Sequence, residues 1–378
     1  MSVLVRREPV VNRQQGITAT RLVVHAPSAS EAVLALNGLS DIWPAARSVL
    51  VGIAGAELDE SLLDWQPPAN AMLELPSPAF VTPAGQALAA KLDAAGMPLC
   101  LDDFDPFVAL PVTPRFRYVL ADARRHPQVS RAPGMPLAKG LADHEAFADA
   151  IDNGYAGAAG WFFLHGLPAL TNKLNPGHAQ IIHILNLVRQ NAEIADIESA
   201  LKHDISISFK LLRYINSAGF GLARQIQSFR HAVTMIGYNK LNKWLSLLLV
   251  TASRDPAAPA LMQTSIVRGR FMELIAAGAI DRGQLDNLFI AGSFSLLDVL
   301  LGSRIEVVLK EMNLPAAIGE ALLHRSGPCA PYLELALACE QEDVADLAAR
   351  AAALGLAPDR VNRALVEALA FADSLQLD

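Results

Sequence analysis

The chain changes its grammar near residue 166. Before that point, short runs rich in Val, Leu, Ile and Phe alternate with helical stretches, with Pro and Gly between them. The runs predict strands over 3–11, 18–26, 48–54, 71–77, 98–104, 118–124, 136–141 and 161–166. Helices are expected over 28–39, 56–64, 83–95 and 143–153. Strand and helix in alternation build a parallel sheet, and eight strands suggest a closed (β/α) barrel. Asn12-Arg13-Gln14-Gln15-Gly16 reads as a hairpin loop, so the barrel is expected to open with an antiparallel pair. The connection 124–136 carries prolines and no helical period, so one covering helix is expected to be missing and another part of the chain to cover that flank.

After residue 166 the pattern is almost all helix. Helices are expected over 191–202, 206–217, from an N-cap at Ser228 to Gly237, over 239–252, over 285–301 as one buried central helix, and over 340–354 and 359–375. The expected domains are 1–166, a TIM-like barrel, and 167–378, an all-helical body; the fold class is α/β plus all-α.

Only 18% of the 378 residues are charged and 52% are apolar, which fits a packed protein. A net charge of -7 disfavours a generally basic nucleic-acid binder. Three cysteines make no disulfide scaffold and no paired zinc motif. Arg6, Arg7 and Glu8 stand where a signal peptide needs an apolar core, and the strongest apolar run, 244–252, is too short to span a bilayer. A soluble cytoplasmic protein is expected, with no cofactor.

Charge is uneven. Residues 201–282 hold 11 Lys/Arg against 4 Asp/Glu, whereas 283–378 hold 6 against 14. The basic block either faces an acidic partner or pairs with the acidic C-terminal helices; internal pairing is favoured. In the first half, Asp102 and Asp103 end a strand, and Glu74 lies on a nearby one. Carboxylates at the C-terminal rim of a barrel suit a divalent metal for phosphodiester hydrolysis, or else serve as caps and water-binding groups.

The order of these segments resembles the EAL domain, the cyclic di-GMP phosphodiesterase barrel. Arg7-Glu8-Pro9-Val10-Val11 resembles its opening strand, Leu73-Glu74-Leu75 its fourth-strand motif, Leu101-Asp102-Asp103-Phe104 its DDF motif, and Gly160-Trp161-Phe162-Phe163 its closing strand. The resemblance also places losses. Thr20 falls at the signature glutamate, Val24 at the phosphate-gripping arginine, and Gly52 near the asparagine ligand. Leu120 falls at the catalytic lysine and Lys139 at a late glutamate. Glu74, Asp102, Asp103 and Asp122 remain as remnant metal-site positions. Lys139 beside Asp102 and Asp103 is expected to supply an ion pair, and Arg21 could compensate for the lost arginine. The barrel is therefore expected to be catalytically inactive and the chain not an enzyme.

The second half resembles HDOD, the helical output domain derived from the HD phosphohydrolases. The resemblance runs from Gly166-Leu167-Pro168 through 204–221, which includes Lys210-Leu211-Leu212-Arg213 and Asn216-Ser217-Ala218-Gly219-Phe220-Gly221, and on through 226–237. Residues 289–298 resemble the segment that follows. Together the halves resemble the YuxH-like group of EAL–HDOD bacterial signalling proteins. His203-Asp204 spells the HD doublet, but Asp204 is better read as a helix N-cap than as a metal ligand. His178 and His183 are five apart and do not share a helix face. No metal is expected in this half.

Three functions compete. The main expectation is signal transduction through protein contacts of the HDOD half, on a surface around Arg213, Asn216, Ser217, Phe220, Arg224, Arg230, Lys240 and Lys243. The partner would be an unidentified signalling protein; nucleic acid and membrane are not expected. A cyclic di-GMP sensor without hydrolysis is the alternative, and a metal-dependent phosphohydrolase the second.

Overall fold

The computed structural model describes residues 3–108, 114–129, 131–165, 169–202, 229–251 and 258–375. The chain forms two compact units. Met1–Leu167 and Ala338–Val366 form one; Pro168–Leu337 and Glu367–Asp378 form the other.

The first unit is a closed eight-stranded barrel in the order β1 to β8. The strands are β1 Leu4–Asn12, β2 Ile17–His25, β3 Ser48–Ala54, β4 Ala71–Pro76, β5 Leu99–Asp102, β6 Phe116–Asp122, β7 Met135–Lys139 and β8 Gly157–Ala159. β1 runs antiparallel to both neighbours, and the other adjacent pairs are parallel. The hairpin loop at 12–16 makes this reversal, as its sequence suggested. The last strand differs from expectation. Residues 161–166 were too apolar to be told from a strand, but Phe162–Leu164 form a short 3-10 turn, and the small residues Gly157–Ala159 close the barrel instead. Gly157 allows this closure, because a Cβ there would lie 2.3 Å from the Val11 carbonyl oxygen. The stretch expected as a helix over 56–64 is likewise only a 3-10 turn, Glu60–Asp64.

Each strand contributes one side chain to a core layer: Val10, Ala19, Leu50, Met72, Cys100, Leu120, Leu137 and Ala159. Alternation along a strand puts residues two apart on the same face. The next inward positions toward the C-terminal mouth are therefore Glu8, Arg21, Gly52, Glu74, Asp102, Asp122 and Lys139.

The outside of β1 is covered by the returning C-terminal segment. Arg7 points away from Glu8 and donates to Glu340 at 2.6 Å, and its guanidinium lies 5.0 Å from the Trp161 ring centroid. The Arg7 N–H donates to the Cys339 carbonyl at 3.0 Å. Asn362 accepts from the Val5 N–H and donates to the Val3 carbonyl. Arg363 forks onto Asp41. Residues 338–366 thus complete the barrel unit although they lie at the far end of the sequence.

The second unit is helical. Its described helices include Pro176–Arg189, Ile194–Lys202, Phe229–Val250, Ala258–Ala276, Arg282–Ser293 and Leu297–Leu301. The single helix expected over 285–301 is broken, with Phe294 and Leu296 between two helices. Close packing explains the crowding there: a Cβ on Gly269 would lie 2.5 Å from the Phe289 carbonyl oxygen. Gly237, expected to end a helix, has φ 75° and ψ 169°, a break inside Phe229–Val250. Among the described residues, no helix is long and apolar enough to cross a membrane.

Candidate functional site

The mouth of the barrel holds a buried ion-pair network centred on Arg21. Its Nε and Nη2 donate to Glu74 at 2.8–3.0 Å, its Nη1 donates to Glu8 at 3.0 Å, and its Nη2 also reaches Asp102 at 2.9 Å. Arg6 donates to the other Glu8 oxygen at 2.6 Å and to His25 Nε2 at 3.2 Å. Lys139 donates to both Asp102 and Asp103. Adjacent aspartates serve one ammonium because Asp103 takes a left-handed backbone, φ 50°, which turns its side chain toward the rim.

Burial and charge compete at each carboxylate. At Glu8 burial raises the pKa, but Arg21 and Arg6 outweigh it and the net value is lowered. Asp102 behaves alike: burial raises it, while Arg21 and Lys139 bring it below the ordinary 3.8. At Glu74, the most enclosed of the three, burial prevails over Arg21 and the pKa is raised. Arg21 and Lys139 are themselves opposed by burial, yet Glu74 and Asp102 respectively hold their pKa values up. Burial, then Arg6, lowers the pKa of His25, which keeps it a neutral acceptor for Arg6 at pH 7.

This geometry corrects one position of the sequence reading. Thr20 was aligned with the signature glutamate, but β2 turns Thr20 away from the network and Arg21 into it. The inward position on β2 therefore carries a fixed cation. Gly52 makes the room: a Cβ there would lie 2.6 Å from Glu74 Oε2 and 3.6 Å from Arg21 Nη2. Replacing Gly52 by Asn should push Glu74 off Arg21 and lower the melting temperature of the barrel unit by several degrees, read by circular dichroism; an unchanged melt would show that the space is slack.

Glu74, Asp102 and Asp103 are brought together. Asp122 is set apart and pairs with Arg124 at 2.8 Å, whose hydrogen bonds bring its pKa down to about 2. Among the described residues, no three His, Cys, Asp or Glu side chains are grouped to hold a metal ion. As arranged, the mouth does not fit a divalent cation, because the Arg21 guanidinium touches all three carboxylates that would surround one. Arg21, with these partners, also has little left to grip a phosphate. Glu8 and Arg6 were not recognised as site residues; their signal was the run of three charges, Arg6-Arg7-Glu8, inside an otherwise apolar strand.

In the helical unit, Arg213, Asn216, Ser217, Phe220 and Arg224 lie outside the described residues, as do His203 and Asp204. Arg230 lies in the helix Phe229–Val250. Lys240 is exposed. Lys243 is turned inward, paired with Glu273 and 4.0 Å from the Phe289 ring centroid. Arg270 bridges Glu273 at 2.8 Å and Glu367 at 2.9 Å. Part of the basic block is thus neutralised within its own unit, partly by a C-terminal glutamate.

Residues 176–299 match the model of the HDOD domain. The chain is an HDOD-containing protein. It is 27% identical over 233 residues to the cyclic di-GMP phosphodiesterase CdgJ of Vibrio cholerae, a match spanning 61% of this chain and 54% of CdgJ. It is 23% identical over 368 residues to the uncharacterized protein YuxH of Bacillus subtilis, covering 89% of this chain and 90% of YuxH. A crystal structure from Shewanella amazonensis, provisionally named a metal-dependent phosphohydrolase, is similar at 16% identity and TM-score 0.40 over 55% of this chain and 94% of that one. The expectation that the chain is not an enzyme is corrected here: CdgJ, which it matches over about half of CdgJ's length, is named a cyclic di-GMP phosphodiesterase.

Proposed function

We propose that this chain is a cyclic di-GMP-linked signalling protein that acts through contacts of its HDOD unit, with an EAL-type barrel as its second body. The observation that carries this reading is the Arg21 network, which ties the charged groups of the barrel mouth to one another. The relationship to CdgJ supports the nucleotide link, and the HDOD match supports the output role. The contact surface is assigned to the segment 213–230 with the exposed Lys240.

Changing Arg224 and Arg230 together to Glu should leave the melting temperature nearly unchanged and abolish capture of the partner, because surface charges steer association more than they stabilise a fold. A sharp fall in melting temperature would show internal ion pairs instead and move the interface elsewhere.

Phosphodiester hydrolysis is the second reading, and the name of CdgJ favours it. The residues of the barrel mouth, as arranged, provide no metal-bound step for it. Incubating the purified chain with cyclic di-GMP and Mn²⁺, with product read by chromatography, separates the readings: turnover makes hydrolysis the function, and binding without turnover supports signalling.

A further inference from the structure

We propose that Arg189 anchors an oxyanion-binding site in the helical unit, taking one carboxylate or phosphoryl group on the terminal edge of its guanidinium. Arg189 ends the helix Pro176–Arg189, and its Nε donates to Asn242 Oδ1 at 2.8 Å. Both Nη atoms are shielded from solvent and meet no acceptor among the described residues. The buried arginines among the described residues are provided for: Arg6 has Glu8, Arg7 has Glu340, Arg21 has three carboxylates, and Arg268 has Ser295.

An arginine at a helix C-terminus commonly serves the last free carbonyls. That role is taken here. The carbonyls of Asn186, Leu187 and Val188 accept from the N–H groups of Gln190, Ala192 and Asn191. The Ala192 carbonyl accepts from the Tyr238 hydroxyl. Burial lowers the Arg189 pKa, to about 9, and among the described residues no carboxylate opposes it. A desolvated cation without a counter-charge is costly, so an anion that reaches it gains what water no longer supplies.

Asn242 fixes the plane of the guanidinium and leaves its two Nη donors as a fork, the geometry that matches a carboxylate or a phosphate with two parallel hydrogen bonds. Entry needs local movement, since the Nη atoms are covered. The backbone break at Gly237 lies five residues before Asn242, so Asn242 sits on the first turns after a kink.

The test is thermal melting of the full chain in sodium phosphate, sodium acetate or sodium chloride at matched ionic strength. Phosphate or acetate should raise the wild-type melting temperature by a few degrees beyond chloride. The response should vanish in Arg189→Met, which without anion should melt at or above wild type because the uncompensated charge is gone. Arg189→Lys keeps the charge but loses the fork, and should weaken the anion response at least tenfold in concentration. No response beyond chloride, or an equal response in Arg189→Lys, overturns the site. So does a sharply lowered melt of Arg189→Met without anion, which would make the guanidinium structural.

Discussion

Replacing Arg21 by Ala should destabilise the barrel unit by about 3–5 kcal/mol, the usual cost of breaking a buried ion pair from one side. For a unit of this size that is a fall in melting temperature of roughly 6–20 °C. The size follows from what is left behind. Glu74, 2% exposed, loses its bidentate partner, and Glu8 and Asp102 each lose one of their cations. Arg21→Lys should recover only part of the loss, because an ammonium cannot span the same fork. The effect should also depend on pH. In the wild type, Glu8 and Asp102 have lowered pKa values, so they stabilise the fold above their ordinary values of 4.5 and 3.8. That contribution is lost as pH falls through the lowered folded values. Glu74 runs the other way: its raised pKa makes its ionisation a cost that appears as pH rises above 4.5. Without Arg21 this cost grows and the contributions of Glu8 and Asp102 shrink, so the deficit of the variant should widen as pH rises and be smallest at the acid end of the range. Melting curves between pH 4 and 8 check this, and a pH-independent deficit would refute the charge explanation.

The second large effect concerns the returning segment. Residues 1–167 expressed alone should be insoluble or fail to melt cooperatively, because β1 would expose Val5 and Arg7, both of which 338–366 covers. Adding residues 338–366 as a separate peptide should restore a cooperative melt. Within the full chain, Glu340→Ala should cost about 3–5 kcal/mol, since Arg7 loses a carboxylate 2.6 Å away in a place 3% exposed to solvent. Glu340→Gln should cost less, because the amide oxygen still accepts from Arg7. A soluble, cooperatively folding fragment of residues 1–167 would show that the barrel needs no such cover.

Much of the barrel was legible because its signals are local. Apolar runs with Gly and Pro between them mark strands, and seven of the eight lie within a few residues of their expected places. The eighth was misplaced because Gly157–Ala159 has almost no side chain with which to announce a strand, whereas the Trp-Phe-Phe run beside it does. The connection 124–136 suggested a missing cover on its own flank, whereas the cover the structure shows lies on β1. The contacts Arg7–Glu340 and Val5–Asn362 join residues more than 300 apart, and no local pattern encodes such pairing.

At the site, Glu74, Asp102 and the pairing of Lys139 with both aspartates were readable from motif order. Arg21 was not assigned its place, because a shift of one residue on β2 exchanges the inward and outward faces. Only the register of β1 against β2, Glu8 opposite Arg21, resolves that choice. In the helical unit, the inward turn of Lys243 depends on Glu273, 30 residues away, and its charge alone suggested a surface residue.

The most direct test of the account is a calorimetric titration of the full chain with Mn²⁺, repeated with Asp102→Asn. The account holds that Arg21 and Lys139 already occupy the carboxylates of the barrel mouth, so the wild type should show no saturable micromolar binding that depends on Asp102. Micromolar Mn²⁺ binding that is lost in Asp102→Asn would mean that the network opens to admit a metal, and would contradict it.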